Sequence, residues 1–262
     1  MINRLVVKTA YANIYSEPSF TSQMVTQALF FEELTVTSEH DNWYKINQWD
    51  GYTGYVHKFY LSENYDLDSS HHVFISDRFK LLYSSTDFNQ NPSAAIPFGS
   101  RVPIKESGDI LQTRNIDGNR YYLKSAITNK NNDRREQIIC NSKKLLGSPY
   151  LWGGKTPFGY DCSGFVQSVY SSVELNIKRD TSTQIKESKM TDIDIRDAKK
   201  GDLVFFNIDS DGVDHVGIWC GDDSVIHCGG ELKIQSIYDD SHTKLFNHIL
   251  KVRSLTGMLN EN

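Results

Sequence analysis

Apolar and polar residues alternate in short runs through the first part of the chain and give way to helical spacing only near its middle. Residues 10–15, 24–31, 33–37, 43–46 and 52–56 are rich in aromatic and β-branched side chains. Turn formers such as Ser16-Glu17-Pro18-Ser19 and Asp50-Gly51 separate them. Such runs predict short strands, and their close succession predicts a small β-barrel over residues 1–62. Residues 63–71 are polar and read as a linker. Residues 79–83, 100–104 and 121–123 are further strand candidates between Asn, Asp and Gly, which predicts a second, more diverged barrel over 72–128. Asn129-Lys130-Asn131-Asn132-Asp133 marks the next boundary, and a third domain is expected over 130–262.

In that last part Ile138, Ile139, Ser142, Leu145 and Leu146 recur at helical spacing, with Gly147 as the stop and Pro149 just beyond. A loop of turn formers and aromatics, Gly147-Ser148-Pro149-Tyr150-Leu151-Trp152-Gly153-Gly154, leads to Asp161-Cys162-Ser163-Gly164. The apolar positions 165, 166, 169 and 170 then open a second helix. Residues 176–200 are polar, and Thr181 to Gln184 fits a capping box at the start of a short helix. Lys199-Lys200-Gly201-Asp202 turns into the apolar run 203–206. Residues 214–219 and 224–228 alternate like strands around Cys220-Gly221-Asp222-Asp223, the pattern of an antiparallel hairpin.

Composition narrows the function classes. The chain has 262 residues, 12% aromatic and 23% charged, with a formal net charge of −5, so neither a nucleic-acid nor an anionic-membrane partner is indicated. Lys143-Lys144 and Lys199-Lys200 read as solvated faces. No apolar run reaches the length of a membrane span, and Lys8 and Asn13 interrupt the N-terminal apolar residues too early for a signal peptide. A cytoplasmic location is therefore expected. The four cysteines, at 140, 162, 220 and 228, show no zinc spacing and no C-x-x-C pair. A disulfide scaffold is not expected, and a free Cys162 suits a reducing compartment. His71-His72 lacks further ligands, so neither a metal nor a cofactor is expected.

The chemistry concentrates at Cys162. A cysteine where a glycine-rich loop enters a helix meets unpaired N–H groups and the positive end of the helix dipole. Both favour the thiolate, which is the nucleophile. Taken alone it is as well read as a small buried hydrophobe. The hairpin, however, carries His215 on one strand and His227 on the other, so a base and a partner for that base can lie side by side.

Four pieces taken together, Tyr150-x-Trp152-Gly153-Gly154, Asp161-Cys162-Ser163-Gly164, His215-Val216-Gly217-Ile218 and Ile226-His227, resemble the NlpC-type cell-wall cysteine peptidases over roughly residues 135–255. Gly201-Asp202-Leu203-Val204-Phe205-Phe206 is similar as well. Residues 13–56, and Asp50-Gly51-Tyr52-Thr53-Gly54-Tyr55-Val56 above all, resemble a bacterial SH3-like domain. The resemblance implies an α+β fold, a papain-like catalytic domain preceded by two small SH3-like β-barrels. It also implies that Cys162 is the nucleophile, His215 the general base and acid, and His227 the residue orienting it.

The family cuts wall peptides, commonly between γ-D-glutamate and a diamino acid. Glu17-Pro18-Ser19 and Asp50-Gly51-Tyr52 are similar to those of the cytoplasmic recycling members, which release L-Ala-γ-D-Glu from murein peptides with a free amino terminus. That ammonium needs carboxylates and hydroxyls to replace its water; the resemblance offers Asp161, Ser163, Tyr52, Glu17 and Ser182, with Arg179 near the site. Asp161 also reads as a helix cap, Thr181 or Ser182 as another, and Glu17 as an ordinary turn carboxylate. Tyr150 is a candidate for the oxyanion, and Trp152 is expected to pack. Two alternatives stay open: a wall hydrolase anchored by its barrels, and an amidase or acyltransferase on another substrate.

Overall fold

The computed structural model describes residues 3–66, 71–107, 109–124, 133–239 and 244–259. Of the boundary expected at 129–133 all but Asp133 lies outside them, as do residues 67–70 of the linker. The chain divides into two compact units, 1–129 and 130–262.

The first unit is built of strands. Seven of them, β1 (Asn3–Val7), β2 (Tyr11–Tyr15), β3 (Met24–Leu29), β4 (Glu33–His40), β5 (Trp43–Asn47), β6 (Thr53–His57) and β7 (Leu61–Ser62), form one sheet in the order β3-β2-β6-β5-β4-β1-β7. Leu5, Val7, Ala12, Ile14, Leu34, Ile46 and Val56 fill its interior. Then come β8 (His72–Phe74), β9 (Phe79–Leu82), β10 (Ala94–Pro97), β11 (Arg101–Ser107), β12 (Ile110–Thr113) and β13 (Tyr122–Lys124), in a four-stranded sheet β13-β12-β11-β8 and a pair β10-β9.

Two expectations change here. Residues 63–66 are not a free linker: Tyr65 bridges to Ile116, and Asp66 donates its N–H to the Asn115 carbonyl. Nor do the two halves keep separate interiors. Val6, Phe30 and Phe31 join Ile75, Leu82, Ile96, Val102 and Leu111 in one apolar cluster.

The second unit holds the candidate residues Cys162, His215 and His227. Helix α1 (Arg134–Lys144) is capped by Asp133, whose side chain accepts the Arg135 and Glu136 N–H groups, worth about 1 kcal/mol. A short pair, β14 (Lys155–Thr156) and β15 (Gly159–Tyr160), precedes α2 (Cys162–Ser171) and the single turn α3 (Thr181–Gln184). A six-stranded sheet follows: β16 (Thr191–Ile193), β17 (Leu203–Phe206), β18 (His215–Gly221), β19 (Ser224–Gly229), β20 (Glu231–Ser236) and β21 (Ile249–Ser254), ordered β16-β21-β17-β18-β19-β20. The turn α4 (Thr256–Leu259) ends the described chain.

The Gly201-Asp202 turn is a hub of this unit. Asp202 is fully buried and accepts from Arg135 (2.8 Å) and from the Lys199 (2.8 Å) and Leu255 (3.0 Å) N–H groups. It thereby ties α1 to the start of β17 and the end of β21, which are neighbours in the sheet. Fully buried Tyr170 of α2 donates its hydroxyl to the Gly201 carbonyl (2.5 Å).

Candidate active site

The cysteine loop is a close stack of backbone. A Cβ at Gly154 would stand 2.2 Å from the Gly159 carbonyl oxygen, and one at Gly164 would stand 2.2 Å from that of Gly154. Both glycines are there so that the loop can lie directly against the first turn of α2. Asp161 fixes the same junction. Its carboxylate accepts the Gly164 N–H (2.6 Å) and the Gly153 N–H (2.9 Å), and Arg179 grips it with two nitrogens at 2.9 and 2.6 Å. Arg179 also donates to Ser163 Oγ (2.9 Å). The Gly164 N–H bond realises the capping role expected of Asp161, and since Asp161, Ser163 and Arg179 are all buried, the capping carboxylate is also held in a desolvated, forked ion pair. The Cys162 and Ser163 N–H groups have no acceptor among the described residues.

The histidines come from adjacent strands. In the β18–β19 register Gly217 faces His227, and across β19–β20 His227 faces Lys233. Side chains alternate along a strand, so His215, His227 and Gln235 lie on one face, each two residues off its neighbour's partner. They form a diagonal row over three strands. Gly217 and Gly229 make room: a Cβ at Gly217 would meet that of His227 at 3.1 Å, and one at Gly229 the imidazole at 3.3 Å. The bonds along the row are His215 Nε2 to His227 Nδ1 at 2.8 Å and His227 Nε2 to Gln235 Oε1 at 3.1 Å. His215 Nδ1 has no hydrogen bond among the described residues.

Electrostatics departs from the expectation of a ready thiolate. Cys162 is 7% exposed. Burial, and then the neighbouring Asp161, push its thiol up to about 11, against the Thr181 hydroxyl, the Val216 N–H and Arg179, which favour the anion. The helix end is outweighed because the sulfur has lost its water. Burial also holds His215 down at about 4, with Asp214 opposing, and His227 at about 3, the His215 charge adding to the drop. Burial thus favours the uncharged thiol and the uncharged imidazoles over a thiolate–imidazolium pair.

A cleft of about 570 Å³ opens over these groups, lined by Cys162, His215, His227, Gln235, Tyr150 and Trp152 among others. The Tyr150 hydroxyl is pushed up to about 12 by burial and by Cys162, and so stays a donor at the cleft wall. Trp152 corrects the packing expectation: it is 59% exposed and stands on the lip of the cleft. Lys233 reaches the same cleft.

The capping box at α3 does not form either. Asp180 is the N-cap and makes no side-chain cap bond, while Gln184 turns inward to the Ser163 (3.0 Å) and Lys178 (2.9 Å) carbonyls. Ser182 is exposed; Thr181, one residue earlier, is the group whose Oγ1 lies 3.7 Å from the Cys162 sulfur. Tyr52 and Glu17 belong to the first unit. Tyr52 follows Asp50, whose carboxylate accepts its N–H (2.9 Å), and Glu17 sits exposed in the turn closed by Ser22. The residues that sequence reasoning missed are Thr181, Gln235 and Lys233. The Gly229-Gly230 turn followed by alternating Leu232 and Ile234 signals a third strand, and counting faces along it leads to Lys233 and Gln235.

Among the described residues, no group of side chains could hold a metal ion and no helix is long and apolar enough to cross a membrane. The NlpC/P60 family model matches residues 147–251, and the bacterial SH3 domain model residues 10–62. The chain is 32% identical over 216 residues to a gamma-D-glutamyl-L-lysine dipeptidyl-peptidase of Bacillus subtilis (strain 168), covering 77% of this chain and 71% of that protein. Its likeness to the protein of that name from Bacillus cereus (strain ATCC 10987 / NRS 248) is 28% over 230 residues, 79% and 67% of the two chains. The fold is similar to the crystal structure of an NlpC/P60 family protein from Bacillus cereus ATCC 10987, with a TM-score of 0.80 and 21% identity over 96% of this chain and 99% of that one. With an SH3 domain ahead of a cleft that joins a helix-start cysteine to paired histidines, this chain belongs to the NlpC/P60 family of peptidases.

Proposed function

We propose that the protein is a cysteine peptidase that hydrolyses the bond between γ-D-glutamate and the diamino acid of murein peptides with a free N-terminal L-alanine, releasing L-Ala-γ-D-Glu in the cytoplasm. The observation that carries this reading is the hydrogen-bonded His215–His227 pair beside Cys162 in one cleft. The named Bacillus relatives supply the substrate class, because they align over most of the chain rather than over the peptidase region alone.

In this reading His215 Nδ1 accepts the Cys162 proton as the sulfur attacks the γ-carbonyl carbon. The new oxyanion meets the unpartnered N–H groups of Cys162 and Ser163 at the positive end of α2, with the Tyr150 hydroxyl beside them. The C–N bond then breaks, His215 returns the proton to the leaving amine, and a thioester remains. A water molecule deprotonated by the same nitrogen attacks the thioester, freeing the dipeptide and restoring the thiol. Recognition of the substrate ammonium is assigned, on the family resemblance, to Asp161 and Ser163, which Arg179 holds in place.

The test is kcat/KM on L-Ala-γ-D-Glu-L-Lys and its N-acetyl derivative. Acetylation removes the charge of the amine and adds bulk beside it, and is expected to lower kcat/KM by at least ~100-fold. Cys162→Ser abolishes release of the dipeptide while the protein stays folded. Comparable rates on the two peptides overturn the free-amine reading; dipeptide release by Cys162→Ser overturns the nucleophile.

A further inference from the structure

His215 can serve as base only in one of its two neutral forms. With Nε2 engaged by His227, the lone pair must sit on Nδ1, so the proton must sit on Nε2 and be donated to His227 Nδ1. That in turn requires His227 to be protonated on Nε2. An uncharged histidine pair has no internal preference for this arrangement: moving both protons one step along the row leaves the 2.8 Å bond intact and places a proton on His215 Nδ1, where it blocks the transfer from Cys162. Something at the far end must break the tie.

That end is Gln235. It is buried at 6% exposure, lines the cleft wall, and presents its carbonyl oxygen 3.1 Å from His227 Nε2. A carbonyl oxygen only accepts, so the nitrogen facing it carries the hydrogen. We propose that Gln235 is a positioning residue of the reaction: its side-chain carbonyl selects the Nε2–H form of His227 and, through it, the form of His215 whose Nδ1 lone pair receives the Cys162 proton. The sheet makes this possible, since His215, His227 and Gln235 occupy successive strands on one face, each displaced by two residues in register. The neutral state that makes the question matter follows from burial of both rings. A wrongly directed orienting group in a hydrolytic triad leaves geometry intact and still costs orders of magnitude in rate.

The inference rests on Cys162 and His215 being the reacting pair, so its first readout needs no substrate. Nitrogen-15 NMR of the histidine-labelled full chain, at mildly alkaline pH, is expected to show both His215 and His227 as Nε2–H forms. In Gln235→Met, which is of similar length but offers no comparable acceptor, both rings become mixtures of the two forms. In Gln235→Glu, which still accepts, the pattern of the parent protein is kept. The second readout is turnover: Gln235→Met lowers kcat, and the rate of Cys162 alkylation, by about tenfold or more with KM little changed, and Gln235→Glu recovers most of the loss. Finding His227 of the unaltered protein protonated on Nδ1 overturns the proposal outright, even where Gln235→Met fails to fold. A Gln235→Met protein with unchanged tautomers and unchanged kcat overturns it too. An unreactive murein peptide combined with the expected NMR pattern faults the substrate assignment and leaves this one standing.

Discussion

At Cys162 two influences oppose each other. The first turn of α2 and the Val216 N–H favour the anion, whereas burial and the Asp161 carboxylate favour the thiol, and burial prevails. A preformed thiolate–imidazolium pair would be alkylated at a rate that levels off in the mildly acidic range. Here the rate of inactivation by iodoacetamide is expected to climb through neutral pH toward about 11 with no acidic plateau; a plateau would show that His215 is protonated in the resting enzyme. His215→Ala is expected to remove nearly all turnover. His227→Gln retains more than His227→Ala, because an amide oxygen can still accept the Nε2–H of His215. Equal rates in His227→Ala and the parent protein would take His227 out of the row. The candidates for these roles could be picked from the sequence as far as residue type and spacing reach. The charge state was not, because the loss of water around a sulfur depends on what packs over it, which no local pattern records.

At the scale of elements, the hairpin and the loop-to-helix junction were readable because turn formers and period-two alternation are local signals. The strand β20 carries the same signals in Gly229-Gly230 and the alternation of Leu232 and Ile234, but the inward turn of Gln184 has none. Thr181 to Gln184 has the letters of a capping box, yet the carbonyls of Ser163 and Lys178 outbid the helix start for the Gln184 amide. Arg179 shows the same limit from the other side: its partner, Asp161, lies eighteen residues away in sequence. Arg179→Met leaves that carboxylate buried and unpaired, and is expected to destabilise the protein by roughly 3–5 kcal/mol, read by urea denaturation. Gly164→Ala should be as severe, since the 2.2 Å approach is to backbone that no rotamer change relieves. A stability within 1 kcal/mol of the parent, on the order of an ordinary surface change, would mean that the loop is not seated on α2 as described.

For the whole molecule the buried histidines set a pH dependence. Both have folded-state pKa values, about 4 and about 3, below the 6.5 of an unfolded histidine. Between those limits the unfolded chain binds more protons, so stability increases with pH across this window. Acidification from about 6.5 toward 4 therefore draws stability away, and the part due to these rings is fully present only above 6.5. Chemical denaturation at a series of pH values checks this against His215→Gln/His227→Gln, which should lose much of the slope. A slope unchanged by the double substitution would assign it to other groups. The two-unit division was foreshadowed by the change from alternation to helical spacing near residue 130. The apolar cluster that merges the two halves of the first unit was not, since Val6, Phe30 and Phe31 meet their partners only after the chain has folded back.

The protonated state of Cys162 also bears on how the enzyme survives between encounters with substrate. Peroxides attack thiolates, and their selectivity among cysteines follows the fraction of sulfur that is ionised and reachable. In the proposed mechanism Cys162 stays a thiol until the relay removes its proton, and so offers peroxide little to attack. Its damage should therefore scale with turnover, so that an idle enzyme outlasts a working one in the same oxidant.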